Sequence, residues 1–95
     1  QQEIEQYMHL ASVYEESGFP RRARDYLQKA LKIDPDNPEV LLRLGRVELE
    51  LGNHASAEDF FERLLSRHPQ WATDVEKLKR EMMPQDADED SSMSM

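Results

Sequence analysis

Ninety-five residues carrying a formal charge of −8, with 12 basic residues against 20 acidic and no cysteine, set firm bounds on this chain. That length suits one domain, and the acidic field argues against nucleic acid or an anionic membrane as the main partner, because phosphates are held by clustered Lys and Arg. The missing cysteine removes disulfides and thiolate metal sites, and the longest aliphatic run, Val40-Leu41-Leu42, falls short of a membrane span or a signal peptide.

In chain order, Ile4, Tyr7, Leu10, Ala11 and Tyr14 recur at helical spacing and predict a helix over 3–17. Gly18 follows it, where a left-handed C-cap is cheap for glycine. A second stripe, Ala23, Leu27, Ala30 and Leu31, predicts a helix over 21–33, opened by Arg21, Arg22 and Arg24 at the end of the macrodipole that disfavours cations. Those arginines are read as solvent-exposed, with an acidic contact as the alternative. Asp34-Pro35-Asp36-Asn37-Pro38 breaks the chain, Asn37 being a good N-cap and Pro38 suited to a first helical turn. Helices over 38–51 and 55–67 follow, separated by Gly52, and a fifth over 73–83 is opened by a capping box, Thr73-x-x-Glu76, and ended by Pro84. Trp71, just before that box, is read as a hydrophobic staple sealing the helix stack, in preference to a recognition aromatic. From Pro84 to Met95 the chain is acidic and poor in aliphatic residues, and the expectation is a disordered tail that is dispensable for folding.

The chain repeats itself at a period of 34: Tyr7 aligns with Leu41, Leu10 with Leu44, Ala11 with Gly45, Gly18 with Gly52, Ala23 with Ala57, Leu27 with Phe61, Leu31 with Leu65 and Pro35 with Pro69. The first unit reads Tyr7-x₂-Leu10-Ala11-x₂-Tyr14, Ala23-x₃-Leu27, Pro35; the second reads Leu41-x₂-Leu44-Gly45-x₂-Glu48, Ala57-x₃-Phe61, Pro69. On these residues the chain resembles the tetratricopeptide repeat family, with Glu48 in place of an aromatic and Ala11 in place of a glycine. The fold class expected is all-α, a helical-repeat solenoid of two antiparallel helix pairs plus a C-terminal capping helix. The domain spans 1–83, with repeats at about 4–37 and 38–71 and the cap at about 73–83, and 84–95 is the tail. Small residues at Ala23, Ala30, Gly45 and Ala57 let helices approach while Tyr7, Tyr14, Phe60 and Phe61 fill the gaps. The resemblance implies a concave face lined by the first helix of each pair, holding an extended or helical peptide. Ile4, Tyr7, Met8 and Ala11 belong to a helix that no preceding pair covers, which invites an upstream repeat or a homodimer.

Chemistry has little purchase on this sequence. His9, His54 and His68 fit no metal-ligand spacing, His68 suits the end of its helix, and the adjacent carboxylates Glu15-Glu16 and Glu58-Asp59 read as solvated faces. No nucleophile–base arrangement or Gly-rich phosphate loop is present, so neither enzymatic activity nor a cofactor is expected. Arg43 and Arg46 recur as Lys77 and Arg80, on the side of their helices away from the apolar stripe. Surface ion pairs with Glu39, Glu50, Glu76 and Glu81 are the favoured account of this column. On the functional account, Met8, Ser12, Arg43, Arg46, Lys77 and Arg80, flanked by His9, form a peptide-binding groove suited to acidic ligands, with the chain's own Asp86 to Asp90 as competitor. Some family members hold a chaperone's acidic C-terminus in a basic clamp; here the corresponding places hold Met8, Ser12, Arg43, Thr73 and Lys77, so that clamp is not expected. The overall expectation is a protein-interaction scaffold binding a peptide of a partner protein, with a structural or self-association element of a longer solenoid as the alternative. A cytoplasmic setting is expected, or a periplasmic one if a targeting segment preceded Gln1.

Overall fold

Two amphipathic helices joined by a three-residue turn bury their stripes by folding back on each other. A computed structural model describes residues 2–82, and in it α1 (Gln2–Glu16) and α2 (Pro20–Ile33) form one such hairpin and α3 (Pro38–Glu50) and α4 (His54–Arg67) a second. A 3₁₀ turn, Pro69–Trp71, leads into α5 (Ala72–Met82). The five helices fall within a residue of the spans the periodicity predicts, and no strand occurs among the described residues.

Both hairpins turn by the same device. Gly18 and Gly52 have φ of 86° and 83°, a conformation that costs any residue with a Cβ. Phe19 N–H donates to Tyr14 O at 2.8 Å and Gly18 N–H to Glu15 O at 3.3 Å; one repeat later Asn53 N–H donates to Glu48 O at 2.8 Å and Gly52 N–H to Leu49 O at 3.0 Å. This paired pattern satisfies the carbonyls that a helix end would otherwise leave open. Between the hairpins Asn37 caps α3, its Oδ1 accepting from Glu39 N–H at 3.0 Å and Val40 N–H at 3.1 Å. The same turn is gripped from α4, where the His68 ring lies 2.9 Å from Asp36 O and Arg67 pairs with the Asp36 carboxylate at 3.0 Å.

The core runs along α3. Val40, Leu44 and Val47 pack with Ala11, Ala23, Leu27 and Ala30 on one side, while Leu41 and Leu49 join Ala57, Phe61, Leu64 and Val75 on the other. Tyr26 stacks on Tyr14 with centroids 5.7 Å apart and lies 6.2 Å from Tyr7, filling the first hairpin. In the second hairpin the Phe61 ring occupies the space that a side chain at Gly45 would take.

Two expectations need correction. The capping box at Thr73 is not what opens α5. The 3₁₀ turn runs straight into the helix, His68 O accepting from Trp71 N–H at 3.0 Å and Pro69 O accepting from Ala72 N–H. The preceding carbonyls thus serve amides at the helix start, and Thr73 sits exposed inside α5. The uncovered flank of α1 is also not Ile4, Tyr7, Met8 and Ala11, since Ala11 is fully buried and the other three pack on the first core cluster. Those positions pack into the first cluster, whereas Leu10 and Val13 are the large apolar residues of α1 left exposed. Trp71 packs on the second cluster, as a seal would. The acidic stretch 84–95 lies outside the described residues.

A Cβ at Gly45 would fall 2.6 Å from Phe61 Cζ and 2.8 Å from Cδ1. Alanine gains about 1 kcal/mol in helix propensity, but overpacking a buried ring costs about 1–3 kcal/mol. Gly45→Ala is therefore expected to lower the denaturant midpoint, with a net loss of up to about 2 kcal/mol. In a Phe61→Leu background the same change should be neutral or stabilising, a sign reversal that a double-mutant cycle detects directly.

Candidate peptide-binding groove

The first helices of the successive units, α1, α3 and α5, carry the six candidate groove residues, and the structure divides those residues into two groups. The first group is Arg43 and its surroundings. Its guanidinium Nη2 donates to Ser12 Oγ at 2.6 Å, to Met8 O at 3.3 Å and to Glu15 Oε2 at 3.4 Å, and Nη1 lies 3.9 Å from Glu39 Oε2. Only 15% of the Arg43 side chain is exposed. The sequence column placed Arg43 away from the apolar stripe, free to meet solvent; instead it fastens α3 to α1. The reason is geometric, because a residue on the outer side of α3 meets the preceding helix of the stack rather than water.

Glu15 shares this clasp at a cost. Burial of its carboxyl pushes its pKa above the ordinary value of 4.5, although the charges of Arg43 and Arg46 and the Arg43 hydrogen bond pull it down; Glu50 adds to the rise. Removing a carboxylate from water therefore outweighs a guanidinium held at 3.4 Å.

The second group lies one repeat on. Shifting the clasp by 34 residues turns Arg43 into Lys77, Ser12 into Arg46, Glu15 into Leu49 and Met8 into Leu42. Lys77 is exposed, as are Arg46 and Arg80, and neither Lys77 nor Arg80 makes an ion pair among the described residues. Arg46 reaches Glu50 at 3.9 Å, a contact that contributes little at a surface. Of the helical ion pairs that the sequence suggests, those of Glu39 and Glu50 form, both at the limit of range, and those of Glu76 and Glu81 do not. Where α1 offers α3 a hydroxyl and a carboxylate, α3 offers α5 a cation and an apolar side chain.

The remaining singled-out residues serve the scaffold. Glu48 is buried, accepting from Asn53 Nδ2 at 2.8 Å and pairing with Arg24 at 3.4 Å, so it joins α2, α3 and the following turn in place of an aromatic. Arg22 lies 5.9 Å over the Tyr14 ring. His9 is exposed on α1, beside Glu5, Gln6 and Leu10. Among the described residues no group of His, Asp and Glu side chains is arranged to hold a metal ion, and no helix is long and apolar enough to cross a membrane. The sequence reading missed Glu15 as a partner of Arg43, and the shift by 34 from Glu15 gives Leu49 of the second core cluster.

Stacked antiparallel helix pairs with a terminal seal define a helical-repeat protein. The tetratricopeptide repeat description matches residues 14–82, and the chain belongs to that family, whose repeats are generally non-catalytic interaction modules. It is similar to cellulose synthase operon protein C of Xanthomonas axonopodis pv. citri (strain 306), at 32% identity over 65 residues covering 68% of this chain and 4% of the relative's length. Comparison with solved structures gave no significant match.

The raised pKa of Glu15 sets a testable sign. The folded state holds this proton more tightly than the unfolded chain does, so its contribution to stability is present below pH 4.5 and is lost as the pH rises through the higher folded value. Glu15→Gln keeps a hydrogen-bond acceptor near Arg43 and removes the buried charge. At pH 7 it is expected to melt no lower than the parent, and its advantage should vanish on acidification below pH 4; a variant clearly less stable at pH 7 would show that the ion pair dominates instead.

Proposed function

We propose that this chain is a protein-interaction module that holds an extended acidic segment of a partner protein along the face formed by α1, α3 and α5. Arg46, Lys77 and Arg80 are its cationic contacts, Leu42 is its apolar floor, and Met8 and Ser12 of α1 with Arg43 of α3 form its other edge. The observation that carries this reading is the incomplete second clasp. Arg43 has its acceptors supplied by α1, while the equivalent Lys77 has Arg46 and Leu49 where those acceptors would stand. Lys77 and Arg80 have no ion-pair partner among the described residues and Arg46 has only the long surface contact to Glu50, so a carboxylate-bearing ligand there forms charge-assisted hydrogen bonds that the chain itself does not supply. Family membership supports the class of activity, an interaction role.

Fluorescence anisotropy with a labelled Asp/Glu-rich peptide of about ten residues tests this. Affinity should fall as salt rises, and the Arg46→Glu, Arg80→Glu double variant should bind at least about tenfold more weakly, equivalent to about 1.4 kcal/mol. A form ending at Pro84 is measured alongside, since Asp86, Asp88, Glu89 and Asp90 follow in the same chain at an effective concentration on the order of millimolar; tighter binding there identifies the chain's own acidic run as a competitor. Equal affinity for parent and double variant overturns the proposal.

A further inference from the structure

The second helices of the two pairs do the same structural work with different outer faces. α2 buries Ala23, Leu27 and Ala30, and α4 buries Ala57, Phe61 and Leu64 one period on. Outside those stripes the residues diverge. Gln28 and Lys32 of α2 become Glu62 and Ser66 in α4, while Lys29 becomes Arg63. Because α4 folds with Glu62 and Ser66 at those places, packing does not call for the cations that α2 carries there. Lys29, Lys32 and Arg63 are exposed, and none of them makes an ion pair among the described residues. Arg63 donates to Pro35 O at 3.4 Å. Other cations of α2 are taken up by the scaffold, Arg24 by Glu48 and Arg22 by the Tyr14 ring. Lys32 stands between two shallow hollows that share Gln28; one is also lined by Leu31 and Arg63, the other by Asp25 and Lys29. Leu31 is half-buried and packs on both core clusters.

We infer that the ridge of Lys29 and Lys32 on α2, with Arg63 of α4 beside it, is a second docking surface, and that its occupant is a short acidic segment of a partner protein carrying one apolar side chain. The three cations meet the segment's carboxylates through charge-assisted hydrogen bonds, and Leu31 is the floor on which its apolar side chain rests. Charge and width select this occupant. Asp59 and Glu62 are exposed on α4 within about one turn of Arg63, and the chain carries −8 overall. A flat anionic membrane, or a phosphate backbone running on past the three cations, meets like charge there. A short segment covers the cations alone. The net acidity that opposes a large polyanion is no bar to so local a contact, since exposed charges are screened beyond about 8 Å at physiological salt. The surface belongs to the second helices of the pairs and shares no residue with the face of α1, α3 and α5, so failure of either proposal leaves the other standing.

The test titrates the full chain with a labelled peptide of aspartates and glutamates around one central leucine. In the Arg46→Glu, Arg80→Glu background a residual, salt-sensitive binding event should remain, and the amide resonances of Gln28 to Ile33 and of Arg63 should shift with it. Adding Lys32→Gln and Arg63→Gln should weaken that event by at least about tenfold. The charge-preserving pair, Lys32→Arg with Arg63→Lys, should keep it within about threefold. Both residues are exposed, so each pair should leave the helicity unchanged and the melting temperature within about 5 °C. Residual binding that survives the glutamines, or a background that binds no peptide, overturns the inference. So does binding of phosphatidylglycerol vesicles or a single-stranded oligonucleotide that the glutamines abolish while the peptide goes unbound, which would assign the ridge to another class of polyanion. Equal peptide affinity in parent and background, with the glutamine effect intact, would support this surface and sink the groove alone.

Discussion

α3 must be covered on both flanks, and everything else in this molecule is arranged around that requirement. Val40, Leu44 and Val47 need the first hairpin, Leu41 and Leu49 need the second hairpin and α5, and Gly45 between them has no side chain because the Phe61 ring occupies its space. A helix apolar over so much of its circumference is stable only inside a stack. α5 meets this requirement on the second flank. Without Val75, Leu78, Met82 and the Trp71 seal, the second cluster would lie open to water beside Leu41 and Leu49.

The buried polar groups follow from the same stacking. Glu48 stands where the first repeat has Tyr14, and a carboxylate in that place needs partners that an aromatic would not; Arg24 and Asn53 supply them from two different segments. The arrangement specifies how the hairpins sit on each other, since a shifted α2 would strand the carboxylate. Arg43 acts similarly toward α1, but Glu15 bears the desolvation that results. The polar joints between repeats therefore fix geometry more than they add stability, which comes from the apolar clusters on either side of α3.

Much of the fold was legible in the sequence because its cues are local or strictly periodic. Gly18, Asn37 and Gly52 announce helix ends through backbone chemistry of their immediate neighbours, and the period of 34 orders the helices before any contact is known. What escaped depends on rotation and register between elements. Thr73 and Glu76 have the spacing of a cap, but the turn beginning at Pro69 supplies carbonyls that make the cap redundant. The stripe on α1 is wide, and periodicity within one helix cannot tell the half that packs into the first cluster from the half left exposed. Arg43 looked exposed for a related reason. Its partners Met8, Ser12 and Glu15 lie about a whole repeat upstream, and only the closeness of successive pairs brings them within reach.

Sequence position and environment are separable in a repeat, and the separation gives these residues their different roles. Ala11, Gly45 and Lys79 occupy one register; the first two admit a partner helix, and the third, with no described second helix beside it, reaches back to Glu58. Arg43 and Lys77 occupy another; the first is consumed by a neighbour that carries acceptors, and the second meets a neighbour that carries Arg46 and Leu49. Leu10 and Leu44 occupy a third; one is half in solvent and the other wholly enclosed. In each register the residue in the middle of the stack is satisfied by what precedes or follows it, while the terminal one either folds back on the scaffold or is left without a partner. Among the described residues, the exposed Lys77 and Arg80 of α5 and the exposed Leu10 and Val13 of α1 are the places where the period supplies a residue without the complement that its counterpart on α3 has.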